Sequence, residues 1–197
     1  MSAENAKPLM RQVLDAIKQG DLRTLEELVR MNPDQLHFKT PFGFQTWLGY
    51  AAGNARLEVV QALLSLGFDA NEGTPSDGIK PLSKACEEGR LDNANLLLDA
   101  GTVLETATSV QNPLFAAIVG RSPEVVKLLL ERGIDATVRY NSKTMKNMDA
   151  VAFALMRGEA ECARVVALWN AKGDEIAAKQ ALEEGSHIAK ENAYRDR

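Results

Sequence analysis

The 197-residue chain is poor in the residues that do chemistry: it holds two cysteines, two histidines and two tryptophans. Cys86 and Cys162 lie 76 positions apart, which makes no disulfide framework and suits a reducing compartment. His37 and His187 stand alone, away from either cysteine, so no His/Cys cluster has metal-ligand spacing. There is no H-E-x-x-H, no G-x-S-x-G, and no G-x-G-x-x-G or other phosphate-cradling glycine loop. The sequence nominates no catalytic residue, no metal ligand and no cofactor. An excess of positive charge is also lacking, with 23 Lys and Arg against 27 Asp and Glu. A net charge of -4 and a pI near 5.3 argue against the concentrated positive face that phosphate tracking needs, so a nucleic-acid partner is not expected. No run approaches the ~20 apolar residues of a membrane helix. The opening MSAENAKPLMRQV has no apolar signal region. A cytoplasmic protein, monomeric when alone and without a membrane partner, is the expectation.

What the chain does have is a core and a period. Apolar residues make up 45% of it, enough for one ordinary domain. Three segments align: VVQALLSLGFDAN (59–71), ANLLLDAGTVLE (94–105) and VVKLLLERGIDAT (125–137). Each is an apolar helical run closed by a glycine, and Gly67, Gly101 and Gly133 are spaced by 34 and 32 residues. Glycine ends helices because it enters the left-handed conformation without steric cost. A second short helix is predicted upstream of each run, at 46–52, 80–86 and 112–118, with Pro81 and Pro113 in a first turn that tolerates a missing N–H. Ala51, Ala85, Ala116 and Ala117 supply a small-residue face for close approach.

The fragments Lys80-Pro81-Leu82-Ser83-Lys84-Ala85, Arg56-Leu57-Glu58-Val59-Val60 and Gly133-Ile134-Asp135-Ala136 carry the pattern. At a period near 33 it resembles the ankyrin-repeat family. The resemblance covers roughly residues 9–173. It implies an all-α repeat solenoid of helix-turn-helix pairs with projecting hairpin loops. Five units are expected, near 9–40, 41–73, 74–106, 107–139 and 140–173, the outer two degenerate. Residues 174–197 are expected to form a polar helical tail or cap, broken at Gly185. More polar ends suit a solenoid, whose terminal repeats lack a neighbour on one side. The rival, another helix-pair solenoid, would not explain the turn-rich stretches NEGTPSDGIK, ETATSVQN and TVRYNSKTMKN, which read as hairpin fingers.

The resemblance implies no enzyme and no cofactor, and a partner protein held on the concave face. Three features compete to mark that face. In HFKTPFGFQTWLGY (37–50) five of the chain's aromatics crowd a turn. Phe42 and Phe44 fall at the first finger tip, with Trp47 and Tyr50 following. Phe38 is expected to be buried, and Phe44, Trp47 and Tyr50 exposed, because Trp and Tyr are enriched at binding hot spots. The alternative, that the rings cap the second repeat, stays open. Residues 66–105 hold eight acids against three bases, and Asp77, Glu87 and Glu88 are placed to face one groove that attracts a basic patch. An ordinary solvated face is the competing reading. The last finger has Arg139, Tyr140, Lys143 and Lys146 and no acid, a loop suited to an acidic partner. Cys86, Cys162, Phe153 and Trp169 are read as packing residues. The expected function is a non-enzymatic binding module: a stoichiometric inhibitor, such as a bacterial immunity protein for a cognate toxin, or else a scaffold or adaptor. An enzyme with a site invisible in sequence is the remote alternative.

Overall fold

Side-chain caps open the helices where the sequence supplies them. Asp21 accepts from Thr24 N at 3.1 Å, Thr46 from Gly49 N at 3.1 Å, Asn112 from Leu114 N at 2.8 Å, Ser122 from Val125 N at 3.3 Å and Asp149 from Ala152 N at 2.9 Å. Each satisfies one backbone donor that a helix N-terminus leaves free. The structure is a computed structural model that describes residues 8–41, 43 and 45–193. Its α-helices are α1 (Leu9–Gln19), α2 (Leu22–Met31), α3 (Trp47–Asn54), α4 (Leu57–Ser65), α5 (Pro81–Glu87), α6 (Leu91–Asp99), α7 (Pro113–Val119), α8 (Pro123–Glu131), α9 (Ala150–Met156), α10 (Ala160–Asn170) and α11 (Glu175–Ala193). A 3-10 turn spans Pro33–Leu36. Among the described residues the one β contact is an antiparallel bridge between Tyr140 and Met148.

The closing glycines behave as the repeat requires. Gly67, Gly101 and Gly133 have φ of 96°, 85° and 86°. In each case the next residue's N–H turns back to the helix: Phe68 to Leu63 O at 3.2 Å, Thr102 to Leu97 O at 3.2 Å and Ile134 to Leu129 O at 3.1 Å. The all-α class and the helix-pair repeat are thus present in the molecule.

The chain groups into two compact units, Met1–Ala85 with Asp92–Thr102, and Cys86–Leu91 with Val103–Arg197. In the first, α1 packs on α2 and α3 on α4, and α2 touches both the 3-10 turn and α4. Its core includes Ile17, Leu25, Trp47, Leu48, Leu63 and Leu97, all nearly or fully buried. Buried Asn93 donates to Ala52 O at 2.9 Å and Ala55 O at 3.1 Å, fastening α6 to the end of α3.

In the second unit α7 packs on α8 and α9, and α10 packs on α8, α9 and α11. Leu114, Ile118, Leu129, Leu130 and Val166 fill its interior. Phe115 stacks on Phe153 at 4.5 Å between ring centroids and meets Tyr140 edge-on at 5.1 Å. The tail corrects one expectation. Helix α11 runs unbroken through Gly185, which is buried and lies against α9. A Cβ there would lie 2.9 Å from Val151 Cγ1 and 3.3 Å from Ala152 N, so the glycine permits close helix approach and does not end the helix. Asn192, near the end of α11, accepts from Lys146 N at 2.7 Å and donates to Lys146 O at 3.0 Å. Replacing Gly185 with Leu is expected to destabilise the protein by about 1–3 kcal/mol through overpacking, despite leucine's better helix propensity. Chemical unfolding followed by circular dichroism measures it.

Candidate functional site

The fingers of the first unit hold themselves in place. Lys39 Nζ donates to Glu72 Oε1 at 2.6 Å and to Gly73 O at 3.3 Å, and His37 Nδ1 lies 3.3 Å from Glu72 Oε2. The first finger is thereby tied to the second. Burial alone would raise the Glu72 carboxyl, but the hydrogen bonds from Lys39 and His37 prevail and hold it below the ordinary value. In the second finger Thr74 N donates to Ile79 O at 3.0 Å, Gly78 N to Thr74 O at 2.9 Å and Ile79 N to Thr74 Oγ1 at 2.9 Å. Thr74 Oγ1 also donates to the Asp77 carboxylate. That bond, helped by the Ile79 N–H, keeps exposed Asp77 below the ordinary aspartate range.

Among the aromatics of 37–50, Phe42 and Phe44 lie outside the described residues. Trp47, expected at the surface, is 0% exposed. Its Nε1 donates to Gln35 Oε1 at 3.0 Å and its ring stacks on Phe38 at 5.6 Å and 18°. Trp47 is a core residue, and a partner cannot reach it. Phe38, expected to be buried, is half-buried, and so is Tyr50.

The last finger departs further from its sequence reading. Tyr140 is 9% exposed; its hydroxyl accepts from Asn112 Nδ2 at 2.9 Å and donates to Thr106 O at 2.8 Å. Burial raises its pKa. It joins two fingers and offers no ring to a ligand. Arg139 Nη2 lies 3.2 Å from Asp149 Oδ2 and 3.1 Å from Glu184 Oε1, so its charge is answered within the unit. The loop's basic character toward a partner reduces to exposed Lys143 and Lys146. Glu87 and Glu88 are exposed, as is Asp77.

Both cysteines are buried, Cys86 at 0% and Cys162 at 2% exposure. Burial pushes the Cys86 thiol far up, and burial with the nearby Glu159, Glu124 and Glu161 charges raises Cys162 to about 11. Neither is a ready thiolate. Among the described residues no three His, Cys, Asp or Glu side chains gather as metal ligands, and no helix is long and apolar enough to cross a membrane.

Trp169 differs from its expectation as a packing residue: it is 46% exposed and lines an open groove of about 770 Å³ between α8 and α10. The buried stripe of α10 is Cys162, Ala163, Val166 and Ala167, and it ends there, leaving Trp169 on its edge beside exposed Asn170. That register was the available signal.

The ankyrin-repeat family model (3 copies) matches residues 13–108. Residues 13–108 are ankyrin repeats. The helix pair α7 and α8 beyond them repeats the same pattern up to its closing Gly133. The E3 ubiquitin-protein ligase hecd-1 of Caenorhabditis elegans is 27% identical over 138 residues, 70% of this chain and 4% of that protein. The ankyrin repeat and KH domain-containing protein mask-1 of the same organism is 36% identical over 93 residues, 47% of this chain and 3% of its own length. The chain therefore spans a few per cent of these curated relatives. The ankyrin repeats over residues 13–108 indicate a protein–protein interaction module.

Replacing Trp47 with Ala is expected to cost about 3–5 kcal/mol by opening a core cavity, and it also leaves Gln35 unpaired. Denaturant titration checks it; an unchanged midpoint would contradict the burial. Glu72 has a pH signature. With its folded pKa depressed, its contribution is fully present above the ordinary value of 4.5 and is lost as pH falls through the lower folded value. The stability gap between wild type and Glu72→Gln is expected to close over that acid window, as read from thermal melts at stepped pH.

Proposed function

We propose that this ankyrin-repeat chain works by binding a partner protein and not by turnover, and that the second finger of its first unit is a docking element for a basic surface. The observation that carries this reading is the prior ordering of residues 73–79. Thr74 is hydrogen-bonded to Gly78, Ile79 and Asp77, and Gly73 lies so close to Gly78 that an added Cβ would be 2.6 Å from its carbonyl oxygen. The finger pays little further ordering entropy when a partner arrives. It presents Pro75, Ser76 and Asp77 to solvent, and Asp77 is held in its charged form. A fixed, ionised carboxylate favours a positively charged partner and speeds encounter. Tyr50 is proposed as a further contact on the first unit, and Glu87, Glu88 and Lys143 as contacts of the second unit taken by itself.

An adaptor role is favoured over free-standing inhibition, because hecd-1 and mask-1 carry the matching segment as a small part of long chains.

The test uses the full chain as bait in native lysate, wild type against Asp77→Lys, with mass spectrometry as the readout. Partners bound by wild type are expected to be lost or weakened by at least about tenfold on charge reversal and to elute with salt. Partners retained equally by Asp77→Lys would overturn the finger assignment. One partner held at 1:1 whose own activity is silenced would replace the adaptor with a stoichiometric inhibitor of the immunity-protein kind. Turnover by the purified chain alone would overturn the binding-only reading.

A further inference from the structure

The groove between α8 and α10 is formed by the second helices of two pairs, on elements separate from the fingers. Val165, Leu168 and Trp169 give it an apolar floor, and Lys127 and Lys172 are the charged residues that line it. A neighbouring hollow of about 210 Å³ shares Leu168 and adds Arg164 and Lys179 against one acid, Glu175. Together the two hollows are lined by four bases and one acid.

Two of the bases are partly answered already. Lys127 Nζ is 3.8 Å from Glu131, and Arg164 Nη2 is 2.8 Å from Glu161, both solvent-exposed pairs within one helix. Such pairs are worth a few tenths of a kcal/mol, about 0.2–0.5, and exchange readily for an incoming carboxylate. Lys172 is placed by a constrained backbone. It has φ of 52°, unusual for a residue other than glycine, and its N–H donates to Trp169 O at 3.0 Å. The following Gly173 N donates to Leu168 O at 2.9 Å, closing the helix end. Asn170 Nδ2, 3.5 Å from Ala136 O, links the same end to the segment after α8. The groove is built before anything binds.

A half-exposed tryptophan on an apolar floor with a basic margin has one complementary occupant. We infer that this groove is a second docking site, which takes a short peptide segment of a partner combining aliphatic or aromatic anchors with flanking Asp or Glu. Its apolar residues cover Trp169 and Leu168, and its carboxylates meet Lys172 and Lys127. The chemistry is opposite in charge to that of Asp77, so the two surfaces recruit different partners. The inference does not rest on the finger reading.

A random 12-residue peptide display library, panned on the full chain, tests it. Enriched sequences are expected to pair acids with large apolar residues. The corresponding synthetic peptides are expected to bind at least tenfold more weakly to Lys172→Glu and to Lys127→Glu, exposed changes that should leave the fold intact. Trp169→Ala is expected to abolish binding, and Asp77→Lys to leave it unchanged. No enrichment, enrichment without acidic bias, or equal binding to both lysine variants would overturn the inference. So would concentration-dependent dimerisation of the chain alone that Trp169→Ala removes, since the groove would then belong to a second copy.

Discussion

No helix in the repeats is long enough to stand by itself. The first helices of three pairs, α5, α7 and α9, have seven residues each. Isolated helices below about 12–15 residues are marginal in water. These segments are helical because each lays an apolar stripe against its neighbours, so the fold depends on helix-on-helix burial more than on propensity. Close approach follows from the same constraint. Ala51, Ala52, Ala117 and Ala163 have no measurable exposure, and Gly185 lets the long α11 come against α9 where a methyl group would collide.

The fingers answer a different constraint. They are largely irregular backbone, which must satisfy its own polar groups or leave them to water. Here short side chains do much of that. Thr74 closes one finger, Ser142 bonds to Thr144 and Met145 in another, and Asn112 uses both ends of its amide. The polar sequence of these loops is internal scaffolding as much as it is contact surface. That changes how Arg139 and Tyr140 should be regarded, since a base and a ring in a loop had suggested a grip on something outside.

The repeat was legible because its signals are local. A glycine closing each second helix, Pro81 and Pro113 in first turns, and a period near 33 need no knowledge of distant residues. The candidate surface was legible only where exposure follows from local pattern, as for Asp77, Glu87 and Glu88. Trp47 could not be placed that way. Its burial depends on Gln35, which a 3-10 turn twelve residues upstream brings to its indole nitrogen, and on Phe38 lying across its face. Tyr140 depends on Asn112 and Thr106 in the preceding finger. Arg139 depends on Glu184 in a helix that runs on through the next residue, Gly185, where a glycine suggests a break. Composition located these residues, but partners remote in sequence decided their roles.

The two tryptophans give the chain an optical property of its own. Trp47 belongs to the first compact unit, sealed from water and hydrogen-bonded; Trp169 belongs to the second, with nearly half its surface wet. Their emission should therefore differ in colour, the sealed indole to the blue and the wet one to the red. A neutral quencher such as acrylamide reaches only the second while the protein is folded. Loosening of the first unit alone would bring a second quenchable population into view without disturbing the signal of the other. Native fluorescence can thus distinguish the opening of one end of the chain from the opening of the whole.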